Sequence, residues 1–159
     1  MRKVKSNDAP EYLANSEDQI IARALEILRE RAKPGRMITS PDDVRNLLII
    51  ETSQDRVERF GMVLLTSQHA VIAIETLSTG TIDAATVYPR EVVRRALESD
   101  AAAVILFHNH PSGNPEPSSA DKALTDQLVS ALRLISVRVL DHHVVGGGKS
   151  VSFAERGLI

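Results

Sequence analysis

The chain contains no cysteine among its 159 residues. That absence removes disulfides, thiolate zinc sites, cysteine nucleophiles and iron–sulfur clusters together. Any metal must therefore be held by histidine, aspartate or glutamate. The lack also fits a reducing compartment. Aromatic residues amount to only 3%, so a core has to rest on valine, isoleucine, leucine and alanine. A strong excess of one charge is missing too. The formal net charge is −2, which does not advertise nucleic-acid binding, and the basic opening from Met1 to Lys5 is a short electrostatic handle. No apolar run approaches the length of a membrane span. No apolar segment follows the basic start, as a secretory signal would require. The expected address is the cytoplasm, with no membrane partner.

What is present reads as globular. The hydrophobic share of 43% and charged share of 25% are ordinary for a folded domain, and the length fits one domain with a short extension. Residues 1–15 are polar and irregular. Ser16 to Gln19 reads as a capping box, and Ile20, Ile21, Ala24, Leu25 and Leu28 recur at helical spacing. Lys33-Pro34-Gly35 should stop that helix, so residues 1–35 form an N-terminal extension and 36–159 the main domain. Ser40-Pro41-Asp42-Asp43 begins a second helix to about Ile50, with a cap, a first-position proline and early acids. Phe60 to Thr66 and Ala70 to Leu77 predict two strands joined as a hairpin, and Thr81 to Val87 a further strand. A helix follows from Pro89 to about Leu97. Ala101 to Phe107 is continuously apolar and predicts a central strand buried on both faces. After a loop over 111–118 comes a helix carrying Ala123, Leu124, Leu128, Ala131, Leu132 and Ile135. Val137 to Val145 predicts another strand, and Gly146-Gly147-Gly148 a flexible turn. Strands that alternate with helices but include a hairpin predict an α/β fold of mixed α+β character, with a central mixed sheet flanked by helices.

The chemistry concentrates between His108 and Asp121. His108 and His110 are two apart at a strand end, and i and i+2 side chains of an extended chain share a face. Two imidazoles on one side can share an ion, and Asp121, at the start of the next helix, can return as a third ligand. Two histidines and one carboxylate suit zinc with a fourth position open to water. Such an ion acidifies its water and polarises a carbonyl, while a separate carboxylate must take the proton. Glu58 is a candidate because it begins an expected strand; Glu75, on the next strand, is a rival. Bland readings stand beside these. Ser118 and Asp121 also fit an ordinary helix cap, and two histidines at a strand end can be plain polar residues. Asp141, His142 and His143 alternate along a strand, so all three do not readily meet one ion. They read as hydrogen-bonded residues, with His142 able to support a ligand from behind. The Arg90, Arg94 and Arg95 cluster reads as a solvated helix face.

The string His108-x-His110-Pro111, then Ser118-x-x-Asp121, resembles the JAMM motif of JAB/MPN metallopeptidases. Glu58-Arg59-Phe60-Gly61 is similar to the strand start that carries that family's upstream glutamate. The fuller His108-Asn109-His110-Pro111-Ser112-Gly113 resembles the RadC-like branch. So do Val87 to Val92, Ala101 to Ile105, Val139 to His142 and Ser152 to Gly157. The resemblance covers roughly residues 36–159 and implies a cytidine-deaminase-like JAB/MPN fold. It implies Zn2+ held by His108, His110 and Asp121, Glu58 as general base, and Ser118 as the hydroxyl supporting an oxyanion. The implied activity is zinc-dependent amide hydrolysis, metallopeptidase or isopeptidase-like, on a peptide or protein substrate. Longer members carry a helix-hairpin-helix region associated with DNA; the short stretch before residue 36 does not resemble one. His143 and the Gly146–Gly148 run depart from the family's usual pattern as local variation. Two alternatives remain open: a DNA-repair-associated role and a non-catalytic MPN binding module.

Overall fold

The computed structural model describes residues 17–31, 34–35, 37–38, 40–80 and 87–159. Four helices and five strands follow in order: α1 (Glu17–Arg31), α2 (Pro41–Glu51), β1 (Arg59–Leu65), β2 (Val71–Thr79), α3 (Pro89–Glu98), β3 (Ala103–Asn109), α4 (Ser119–Leu134), β4 (Arg138–Gly146) and β5 (Lys149–Ser152). The expected cap at Ser16 lies outside the described residues, as does the expected strand over 81–87 but for Val87.

The strands form one sheet in the order β2-β1-β3-β4-β5. β1 runs antiparallel to β2 and β3, β3 parallel to β4 through α4, and β5 antiparallel to β4. The fold is thus the expected mixed sheet between helices. β3 is buried along its whole length, because apolar layers cover both faces. On one face Phe60, Met62, Leu64, Val104 and Leu106 pack with Val92 and Ala96 of α3 and Leu128 and Leu132 of α4. On the other Val63, Leu65, Ala103, Ile105 and Phe107 pack with Val44 and Leu48 of α2. The strand alternation that sorts β1 and β3 into these two layers is the period-two rule. α1 packs against α2 and leaves Ile20, Ile21 and Ile27 largely exposed, so its apolar spacing is only partly spent on the domain.

Local chemistry explains the element ends. Ser40 caps α2 by accepting from the Asp43 N–H at 3.2 Å, with Pro41 in the first turn. The β1–β2 hairpin closes where the Thr66 N–H donates to the Ala70 carbonyl at 2.9 Å. One strand escaped the sequence reading. Gly147 and Gly148 both have positive φ, 57° and 72°, between the paired Gly146 and Lys149. A two-residue loop with both φ values positive is the hairpin turn that matches strand twist. The glycines therefore fold β5 back onto β4 and do not form a loose linker. Gly61 is needed for space. A Cβ there would strike the Phe107 ring and approach the Glu75 carbonyl to 2.6 Å.

Candidate metal centre

The site lies where β3 ends and α4 begins. Phe60 pairs with His108 across β1 and β3, and their rings stack with centroids 6.0 Å apart. His108 is therefore on the α3–α4 face, and it is 1% exposed. His110 follows two residues later. Its backbone N–H donates to the Val145 carbonyl at 2.7 Å, so the chain stays attached to β4 as it leaves the sheet. Pro111 and the following loop return it to α4, whose N-cap is Ser118.

Asp121 is the third residue of that helix and forms a reciprocal cap with Ser118. The Ser118 Oγ accepts from the Asp121 N–H at 3.1 Å. The Ser118 N–H and hydroxyl both donate to Asp121 Oδ2, at 2.6 and 2.7 Å. The bland reading of this pair as a cap is thus correct as geometry. It also orients the carboxylate toward the histidines and leaves Oδ1 free of Ser118.

His108, His110 and Asp121 converge, with their ligand atoms within 4.8 Å of one another. His108 Nε2 is 3.1 Å from His110 Nε2 and 3.3 Å from Asp121 Oδ1, and His110 Nε2 is 3.4 Å from Asp121 Oδ2. Metal–ligand bonds of zinc length at tetrahedral angles would separate such atoms by about 3.3–3.4 Å. The two imidazoles and the carboxylate are therefore close enough to share one ion, with a different Asp121 oxygen nearest each ring. The side chains of His110 and Asp121 retain 19% and 13% exposure, which leaves the cluster open to solvent on that side.

The hydrogen bonds behind the ligands decide which nitrogens are free. A carbonyl only accepts, so His110 Nδ1, 2.8 Å from the Asn114 carbonyl, carries a proton, and its Nε2 points toward the other two donors. The Thr125 hydroxyl donates to the Asp121 carbonyl at 2.6 Å, and so it accepts from His142 Nδ1, 2.7 Å away. His142 Nε2 is then the acceptor for His108 Nδ1–H at 2.8 Å. That leaves the His108 Nε2 lone pair facing the site. Burial pushes the His142 imidazole well below its ordinary pKa, so His142 stays neutral, as the relay requires. Phe153 stacks on it at 4.7 Å.

Charge follows the same pattern. Burial alone would raise the Asp121 carboxyl. The contacts with His108, His110 and Ser118 together outweigh that and hold it far below the usual carboxylate range. The Asp121 contact raises His110. Burial opposes it, while the Asn114 carbonyl and the charges of Asp121 and Glu58 reinforce it.

Glu58 stands one residue before β1. It lies near enough to His110 for its charge to be among those that raise that imidazole. Glu75 is set apart from the centre. It pairs with Met62 from β2, on the far side of β1 from the ligands, and lies 3.6 Å from Arg95. Asp141 and His143 face away from His142, as the alternation predicted. They pair with each other at 3.2 Å, and Asp141 also accepts from Ser152 Oγ at 2.6 Å and from the Ala154 N–H at 3.0 Å. Burial raises Asp141, but these bonds bring it down to about 2. Arg94 pairs with Glu91 and Glu98 at the surface, as a solvated face would. Two residues the sequence reading passed over join the site, Thr125 and Asn109. Thr125 was detectable as a polar residue four positions after Asp121 on the apolar side of the helix. Asn109 had no signal beyond its place between the two histidines.

Helix-start acid and strand-end histidines on a mixed sheet form a group that could hold a metal ion, in a domain of the JAB class. The chain belongs to the RadC-like JAB domain family, whose model matches residues 38–158. It is 55% identical over 132 residues to a UPF0758 protein of Vibrio cholerae, covering 83% of this chain and 59% of that one. A UPF0758 protein of Shewanella baltica is 51% identical over 136 residues, 86% and 60% of the two chains. Another from Xanthomonas campestris is 51% identical over 125 residues, 79% and 56%. The chain thus spans about three-fifths of the length of the curated relatives it matches.

Proposed function

We propose that this domain is a zinc-dependent hydrolase that cleaves amide bonds in a peptide or protein substrate. The observation that carries the reading is the convergence of His108, His110 and Asp121: the two Nε2 atoms are 3.1 Å apart, and Asp121 Oδ1 and Oδ2 lie 3.3 Å from His108 and 3.4 Å from His110 respectively, on a side open to solvent. The donor set, two neutral imidazoles and a carboxylate without thiolate, suits zinc in a catalytic and not a purely structural role. Zinc, when bound, supplies Lewis acidity for carbonyl polarisation and water activation.

The chain's own groups would do the rest. Glu58, whose charge is felt at His110, takes the proton of the attacking water on its carboxylate and passes it to the leaving nitrogen. Ser118 turns its hydroxyl from Asp121 Oδ2 toward the oxyanion that forms on the substrate carbonyl. His142 and Thr125 hold His108 in the ligating tautomer.

The test is a pair of substitutions read in two ways. His108→Ala should remove stoichiometric zinc by elemental analysis. Glu58→Gln should keep zinc but lose turnover on a fluorogenic mixed-peptide library. Undiminished cleavage by Glu58→Gln would refute the mechanism. Retained zinc with no turnover by the wild type on any peptide would favour a binding module, and salt-dependent binding to duplex DNA would favour a DNA-associated role.

A further inference from the structure

We infer that Asn109, the residue between the two histidines, is a positioning residue that fixes Glu58 against the metal centre. The inference rests on the reading of Glu58 as general base.

Asn109 is 4% exposed, and both ends of its amide are spent on one target. Its Oδ1 accepts from the Arg59 N–H at 2.8 Å, and its Nδ2 donates to the Val57 carbonyl at 3.0 Å. These two backbone groups belong to the peptide planes on either side of the Glu58 Cα. A third bond, from the Gly80 N–H to the Glu58 carbonyl at 2.8 Å, holds the second plane from the β2 side. With both planes anchored, the φ and ψ of Glu58 are set, and so is the direction of its Cα–Cβ bond.

The sheet alone would not do this. The β1–β3 pairing ends at Phe60↔His108. Beyond it the His110 N–H turns to β4, and Pro111 has no N–H to offer. A strand start paired on the β2 side alone is held less firmly than one paired on both sides. The Asn109 side chain replaces the missing rungs for one more step, and it does so from the strand that carries both histidines. The base is thereby referenced to the ligands themselves. The amide orientation is unambiguous, since an N–H needs the oxygen and a carbonyl needs the nitrogen.

The test compares wild type, Asn109→Ala, Asn109→Asp, Glu58→Gln and the double variant, as full zinc-loaded chains. Asn109→Ala should keep stoichiometric zinc. Amide exchange by NMR should accelerate about tenfold or more at Arg59 while Met62 to Leu65 stay protected. On the mixed-peptide library kcat should fall about a hundredfold with KM unchanged, because only the base is misplaced. Adding Asn109→Ala to Glu58→Gln should cost nothing further. Unchanged exchange at Arg59, loss of zinc, or a further drop in the double variant would each overturn the inference. If Asn109→Ala does not fold, Asn109→Asp keeps the size and the acceptor for Arg59 but sets an oxygen against the Val57 carbonyl. It should leave Arg59 protected yet lose kcat, and full kcat would overturn the two-handed grip. Normal turnover by Glu58→Gln would sink the hydrolase reading instead. The exchange result needs no substrate and judges the grip on its own.

Discussion

Replacing Thr125 by valine probes the support behind the ligands with almost no change of shape. The hydroxyl makes two bonds, to the Asp121 carbonyl at 2.6 Å and with His142 Nδ1 at 2.7 Å, at a residue 1% exposed. Without it, the Nδ1–H of a fully buried imidazole has no partner, at a cost of about 1–3 kcal/mol. His142 escapes by moving that proton to Nε2. His108 Nδ1 must then accept, so its own proton moves to Nε2, the atom that faces His110 and Asp121. Either route taxes the ligating form, and zinc affinity should weaken by roughly 10–100-fold. The assay is competition with a chromophoric chelator, alongside imidazole 15N shifts that report which nitrogen of His108 carries the proton. Wild-type zinc affinity with an unaltered His108 tautomer would refute the relay.

Two further outcomes follow from the fold. Gly61→Ala should destabilise the domain by about 1–3 kcal/mol in chemical denaturation, because its new methyl meets the Phe107 ring and the Glu75 carbonyl; unchanged stability would mean that β1 and β2 can separate there. Asp141 sits at about 2 against an ordinary 3.8, so between those values the unfolded chain binds more protons than the native one. Its stabilising effect is full above about pH 4 and disappears as pH falls through about 2, amounting to roughly 2 kcal/mol. Asp141→Asn should lose that amount at neutral pH and flatten the acid limb of urea-unfolding curves taken across the window.

Much of the architecture was readable because it follows from local rules. The apolar run ending at Phe107 had to be buried on both faces, and it became β3 at the centre of the sheet. Proline and acids after Ser40 and before Val92 marked two helix starts. β5 escaped because four residues, half of them serine, carry little hydrophobic pattern; the paired glycines before it held the information as turn geometry. At the site, spacing alone gave the convergence of His108, His110 and Asp121. Glu58 could be separated from Glu75 only by resemblance, since that choice depends on strand register, which no local pattern encodes. The roles of Thr125 and Asn109 were not legible for a similar reason: each acts through a partner distant in sequence, His142 for one and the backbone around Glu58 for the other.

The turn after β5 gives the centre a back wall. Phe153 lies flat on His142, held there by the Ala154 N–H on Asp141, while Arg156 grips Glu116 through two bonds of 2.6 and 2.7 Å. The final segment thus spans from the imidazole behind one ligand to the loop that leads into another. Loosening it would admit solvent behind His142, exposing a buried hydrogen-bond chain, and would slacken the approach to Asp121 in the same stroke. Damage at the far end of the chain would then surface as poor metal retention, long before the sheet itself gave way.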